Sequence, residues 1–166
     1  MRKIIVALLL LAVTAFSVKA DIGELALGGQ TTFGTDNKAP GIGLHMKYNF
    51  KYHWRVNWAL NYNFKKNGIQ GLDGCNDFNY LFYIGDKVRV YPLAGLLLRA
   101  WFWTDRYFVG PIEYVDHESD GRFGINGGGG IDYVINEHFI VNAETKYQYI
   151  EDADQVCFSL GVSYVF

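Results

Sequence analysis

The stretch Val156-Cys157-Phe158-Ser159-Leu160-Gly161-Val162-Ser163-Tyr164-Val165-Phe166 decides how the rest of this chain is read. Val156, Phe158, Leu160, Val162, Tyr164 and Phe166 occupy every even position, and Ser159, Gly161 and Ser163 the odd ones between them. A side-chain period of two belongs to a strand with two unlike faces. A soluble sheet has little use for Tyr164 and Phe166 on one exposed terminal face. A strand whose outer face meets lipid, with aromatic rings at headgroup level, accounts for both.

Working back from that strand, the same alternation recurs. Ile42, Leu44, Met46, Tyr48 and Phe50 oppose Gly43, His45, Lys47 and Asn49. Trp54, Val56, Trp58, Leu60, Tyr62 and Phe64 oppose Arg55, Asn57, Ala59, Asn61 and Asn63. The predicted strands are Glu24–Gly34, Ile42–Phe50, Trp54–Phe64, Asp77–Ile84, Val88–Trp103, Arg122–Ile135, Phe139–Tyr149 and the closing one, eight in all. Lys65–Asn76 and Thr104–Gly121 read as loops, and Gly85-Asp86-Lys87 and Asn136-Glu137 as tight turns. Pro92 has no amide hydrogen for a ladder, so a bulge or parity slip is expected near Pro92–Gly95. The connections alternate short and long. That pattern fits an antiparallel up-and-down transmembrane β-barrel with short periplasmic turns, longer external loops and both termini periplasmic.

Residues 1–20 read as a separate unit. Arg2 and Lys3 precede an uncharged apolar run from Ile4 to Phe16, and Val18-Lys19-Ala20 suits a signal peptidase that cuts before Asp21. The apolar run is short of the roughly 20 residues a spanning helix needs. Removing three of the 15 basic residues with this segment leaves 12 against 17 acidic ones, a net charge of −5 for residues 21–166. Nucleic acid is therefore not an expected partner, because phosphate binding needs a basic surface. Export places Cys75 and Cys157 in an oxidising compartment. They are candidates for one disulfide, with two unpaired thiols as the other reading.

Alternation does not say which face is outside. A soluble, lipocalin-like carrier would turn the apolar face inward, but eight strands enclose room for side chains or one small ligand. The Phe, Trp and Tyr rings on that face would overfill it. Outside, they form two girdles at the membrane interfaces. The inward set then reads Glu24, Gln30, His45, Lys47, Arg55, Asn57, Asn61, Asn63, Asn79, Arg89, Arg99, Asn126, Asp132, Asn142, Glu144, Lys146 and Gln148. Charges of both signs, confined together, imply a hydrogen-bonded network that plugs the lumen. A small gated conductance through that network is an alternative.

Chemical motifs are sparse. Asp116-His117-Glu118-Ser119-Asp120 holds the residue types of a hydrolase triad, and a lipid-modifying enzyme using His117 and Ser119 is one alternative. A solvated acidic loop is the leading reading, and a weak cation site on Asp116, Glu118 and Asp120 the next. No catalytic residue, cofactor or metal is assigned. Tyr107, Phe108, Tyr114, Asp116, His117, Glu118 and Asp120 place aromatic rings beside charges in the 104–121 segment, a composition suited to surface contact.

The closing strand resembles the terminal signal of bacterial outer-membrane β-barrels. Val90-Tyr91-Pro92-Leu93-Ala94-Gly95 and Gly127-Gly128-Gly129-Gly130-Ile131-Asp132-Tyr133 resemble segments of the small outer-membrane-protein-A-like and X-like barrels of that family. The resemblance implies a monomeric outer-membrane protein of Gram-negative bacteria, surrounded by lipid and lipopolysaccharide. It also implies that Phe158, Leu160, Val162, Tyr164 and Phe166 are read by the barrel-assembly machinery. The extracellular partner is unknown from sequence, and no peptidoglycan-binding domain, and hence no wall-anchoring role, is expected after Phe166.

Overall fold

The computed structural model describes residues 22–36, 38–66, 69–109, 112–151 and 153–166; for 65, 66, 104–109 and 112–118 it describes the backbone alone. The expected signal segment and its cleavage point lie outside the described residues. The strands are β1 (Leu25–Gly34), β2 (Pro40–Lys51), β3 (Trp54–Lys66), β4 (Ile69–Tyr80), β5 (Phe82–Ile84), β6 (Val88–Val109), β7 (Ile112–Val134), β8 (Phe139–Ile150) and β9 (Gln155–Val165). Apart from β4 and β5, which do not pair with each other, each pairs antiparallel with its neighbour in sequence; β1 pairs with β9, and β4 pairs with β6. The sheet closes into a barrel, which leaves no free edge along its wall.

Nine strands make eight wall positions, because β4 and β5 are one course interrupted at Leu81. Asn79 pairs with Leu93 and Phe82 with Val90, a single register across the gap. Continuing it sets Pro92 opposite Tyr80 at the break, where proline has no N–H to give. The bulge expected at Pro92–Gly95 is absent: β6 runs against β7 without a shift from Val88↔Tyr133 to Val109↔Ile112. Proline costs one ladder bond here and leaves the parity of β6 intact. Register shifts fall instead between Asn49 and Lys51, and between Asn63 and Lys66, at the ends of β2 and β3.

Both expected loops are largely strand. Most of Lys65–Asn76 belongs to β4, where Asp73 and Cys75 pair with Arg99 and Leu97 of β6. Glycine and polar content suggested a loop; ladder bonds to β3 and β6 on both sides outweigh that weak local preference. Thr104–Gly121 is the continuation of β6 and β7 as a ribbon, paired to Val109↔Ile112. The expected difference in connection length is thus a difference in how far strands extend. One rim carries the start of β1, the end of β9 and the turns at 52–53, 85–87 and 135–138, and is called the terminal rim. The other carries the ribbon.

Large apolar side chains point outward on every wall strand, among them Leu44 (71 % exposed), Leu160 (63 %) and Phe123 (82 %). In water such a surface would drive aggregation; in a bilayer it is the surface that belongs there.

A plugged lumen and an extended ribbon

Residues of opposite parity turn inward and are buried. Lys47, Arg55, Asn57, Asn61, Arg89, Arg99, Asp132, Asn142, Glu144, Lys146 and Gln148 are each at most 5 % exposed, as are His45, Asn79 and Asn126, while Glu24 is half-buried near the terminal rim. Gln30 and Asn63 are buried beside them, and Gln30 Nε2 donates to Asn61 Oδ1 at 2.6 Å.

The charges are stacked in tiers. Nearest the terminal rim, Arg89 grips Glu24 through Nη1 and Nη2, at 2.7 and 3.1 Å. Above it, Asp132 receives Lys47 Nζ at 3.2 Å and a close contact from Arg55 Nη1. The Tyr91 hydroxyl lies 2.8 Å from Glu144 Oε1 and 3.2 Å from Asp132 Oδ1, linking this tier to the next. There Lys146 Nζ bridges Glu144 (3.2 Å) and Asp77 (2.6 Å), and Asn126 donates to the other oxygen of Asp77 at 2.8 Å. Toward the ribbon rim, Arg99 forks onto Asp73 at 2.6 and 2.7 Å and also donates to Gln148 at 2.8 Å. Asn63 donates to Asp73 at 3.0 Å, and His45 Nε2 lies 2.6 Å from Ser163 Oγ.

In these tiers Lys47, Arg55, Arg89, Arg99 and Lys146 are matched by Glu24, Asp73, Asp77, Asp132 and Glu144, so each charge has its opposite within bonding distance. Breaking such pairs leaves an uncompensated charge in a low-dielectric interior, which is why the arrangement resists opening. Apolar groups lie at the terminal rim and between the tiers. Ala26, Val134, Ile140 and Val165 cluster by the terminal rim, and Leu81, Tyr91 and Leu93 form a second group. Ala59, Cys75, Leu97 and Ile150 pack with Trp101 and Ala153, and Cys75 and Leu97 lie two residues inside Asp73 and Arg99, between that tier and Asp77.

Besides Ser163, three members of the network are absent from the inward set read from sequence. Asp73 was assigned to a loop; Asp77 was placed opposite Phe78 but given no partner; Tyr91 looked like one more aromatic. The signal that finds them is parity alone, since Tyr91 shares it with Arg89 and Arg99, and Asp73 with Asp77. Tyr91 is 1 % exposed, and the Arg55 guanidinium lies 4.4 Å over its ring. Glycine makes room: a Cβ at Gly130 would fall 2.7 Å from the Tyr91 ring.

The suggested Cys75–Cys157 disulfide is corrected. Both are unpaired thiols. In the ring of eight wall positions β4 and β9 are diametrically opposed, so their Cα atoms cannot approach to the 4.4–6.8 Å a disulfide requires. The outward residues Phe158, Leu160, Val162, Tyr164 and Phe166 of the closing segment are exposed, and Phe166 N donates to Leu25 O at 3.0 Å. Tyr107, Phe108, Tyr114, Asp116, His117 and Glu118 lie on the ribbon backbone, and their side chains fall outside the described residues. Asp120, at the ribbon's base, pairs with Arg122 at 3.1 Å.

The family model for the outer membrane protein beta-barrel domain matches residues 4–166. The chain belongs to the outer-membrane β-barrel family. Solved structures of similar shape include barrels from Pseudomonas aeruginosa and Yersinia pestis. The N-terminal β-barrel domain of Pseudomonas aeruginosa OprF superposes with a TM-score of 0.65 at 19 % identity, over 87 % of this chain and 98 % of that one. OprG of the same organism gives 0.63 at 16 % identity, over 90 % and 98 %. Ail, the attachment invasion locus protein of Yersinia pestis, gives 0.62 at 19 %, over 88 % and 100 %, and has also been solved with the heparin analogue sucrose octasulfate. No curated protein sequence matches the chain. At these identities the similarity establishes the barrel fold, and function must come from this barrel's own features.

Proposed function

We propose that this barrel is a non-enzymatic, non-conducting outer-membrane scaffold whose ribbon makes contact with an extracellular partner. One observation carries the reading: the β6–β7 ribbon leaves the wall. The β4–β6 pairing ends at Ile69↔Trp103 and the β7–β8 pairing at Gly124↔Ile150. Beyond those points β6 and β7 pair with each other for a further six rungs and more, to Val109↔Ile112. A membrane barrel has no structural need for that extension, and projecting connections on a rigid scaffold are where contact residues gather. With residues 1–20 removed as a signal segment, Asp21 and Phe166 face the periplasm and the ribbon faces outward, surrounded by lipopolysaccharide.

The paired charges that fill the lumen support a closed barrel over a channel. The ribbon's strand geometry speaks against a lipid-modifying site, because His117 and Ser119 fall at strand positions of one parity and Asp116, Glu118 and Asp120 at the other. Charge narrows the partner. The segment 104–121 has a net charge of −4, from Asp105, Glu113, Asp116, Glu118 and Asp120 against Arg106. Ail was solved with a polyanion; this ribbon has the wrong sign for one and favours a basic surface.

Replacing residues 104–117 with Asn-Gly closes β6 on β7 at the Trp103↔Glu118 rung and removes the ribbon. In nanodiscs, the intact barrel is expected to bind a polylysine-coated surface in a salt-dependent way and the shortened one to lose most of that binding. Equal binding by the two, or preference for heparin, rejects the reading. Lipid A from cells with and without the gene should show the same acyl pattern by mass spectrometry; a changed pattern would establish the enzyme instead.

A further inference from the structure

The outer face of β4 breaks the apolar belt. Its outward positions run Gln70, Leu72, Gly74, Asn76, Phe78 and Tyr80. Two of these are amides, and they differ. Gln70, at the ribbon end, accepts from the Tyr62 hydroxyl at 3.1 Å. Asn76, four residues from Tyr80 and seven from Ile69, is at mid-strand, and its Oδ1 is buried with no hydrogen-bond partner among the described residues. Gly74 and Asn76 floor an outer groove of about 480 Å³, walled by Trp58 and Leu60 of β3 and Leu96 and Leu98 of β6. The Asn76 oxygen is covered by side chains of its own barrel without a partner, and acyl chains hold no donor to relieve it when the amide turns outward.

We propose that this face is the contact between two copies of the chain within the membrane, with Asn76 meeting Asn76 across a two-fold axis. A carboxamide is donor and acceptor at once, so Nδ2 of each copy can serve Oδ1 of the other, and a two-fold interface is built from one self-complementary patch. The amide is a broad rotor about its last torsion, so either atom can be turned into the groove. Gly74, with no side chain, permits the close approach that lets polar groups bond between membrane segments. This departs from the monomer that the family resemblance implies.

The test uses the whole barrel in lipid vesicles, with donor- and acceptor-labelled copies mixed at falling protein-to-lipid ratio. Energy transfer should follow a monomer–dimer equilibrium. Asn76→Leu should weaken it by about tenfold, the effect of two hydrogen bonds of this kind, while Asn76→Gln should retain most of it. Gly74→Val separates interface from folding, because a Cβ there meets nothing nearer than Leu98 O at 3.9 Å. The variant should fold, with normal heat-modifiable mobility, and fail to dimerise. Random-mixing transfer for the native chain at every ratio overturns the proposal, as does undiminished dimerisation in Asn76→Leu or Gly74→Val. A lipid that co-purifies with the native barrel and is lost from Asn76→Leu would assign the groove to lipid, and also overturns it.

Discussion

Asp132 is the residue on which the plug turns, since it pairs with both Lys47 and Arg55 and touches the Tyr91 hydroxyl. Asp132→Ala strands two buried cations, and the expected loss is about 3–5 kcal/mol. It would be read as an earlier urea midpoint for the barrel refolded in detergent; an unchanged midpoint would show that water replaces the carboxylate. Gly130 tests the fit from the backbone side. Gly130→Ala puts a methyl 2.7 Å from the Tyr91 ring and 2.8 Å from Glu144 Cγ, an overpacking expected to cost about 1–3 kcal/mol. Gly127→Ala, with nothing within 4 Å of the new atom, should leave the same titration curve in place. If both behaved alike, crowding inside the barrel would not be what selects glycine at 130.

Among the elements, β6 and β7 stand apart, at 22 and 23 residues where the other full wall strands have 10 to 13. Their extra length adds no bonds to the wall, so the Asn-Gly replacement of 104–117 should leave the unfolding midpoint of the barrel where it was. A marked fall would mean that the ribbon braces the mouth. From sequence this segment reads as a loop, for a physical reason. Its charges and rings alternate too loosely to signal a strand, and what makes it one is the register it inherits from β6 and β7 below. The same holds for Asp73 in β4, whose inward position is plain only once the ladder with Arg99 is counted.

For the whole molecule, a column of matched charges fills the lumen, and opening it would break buried ion pairs. Reconstituted into planar bilayers, the barrel should be silent across the accessible voltage range; steady unitary currents would contradict the sealed lumen. Closure also predicts a division of labour at the C-terminus. Phe166 is 71 % exposed and holds the barrel by one backbone bond to Leu25. Its deletion should lower the amount of heat-modifiable barrel in cells while leaving refolding in detergent nearly normal. Equal loss in both settings would make Phe166 a structural residue rather than an assembly signal.

The alternation of Trp54 to Phe64 and of Val156 to Phe166 was enough to determine a lipid-facing barrel. Period two and ring size are local properties, and an eight-stranded interior cannot hold those rings. Parity likewise located Lys47, Arg55, Asp132 and Glu144 on one wall face before any contact was known. Which acid answers which base, how far β6 and β7 run past the rim, and that Cys75 and Cys157 stand on opposite walls were decided only by closure. Those are relations between strands far apart in sequence, set by the register in which the sheet meets itself.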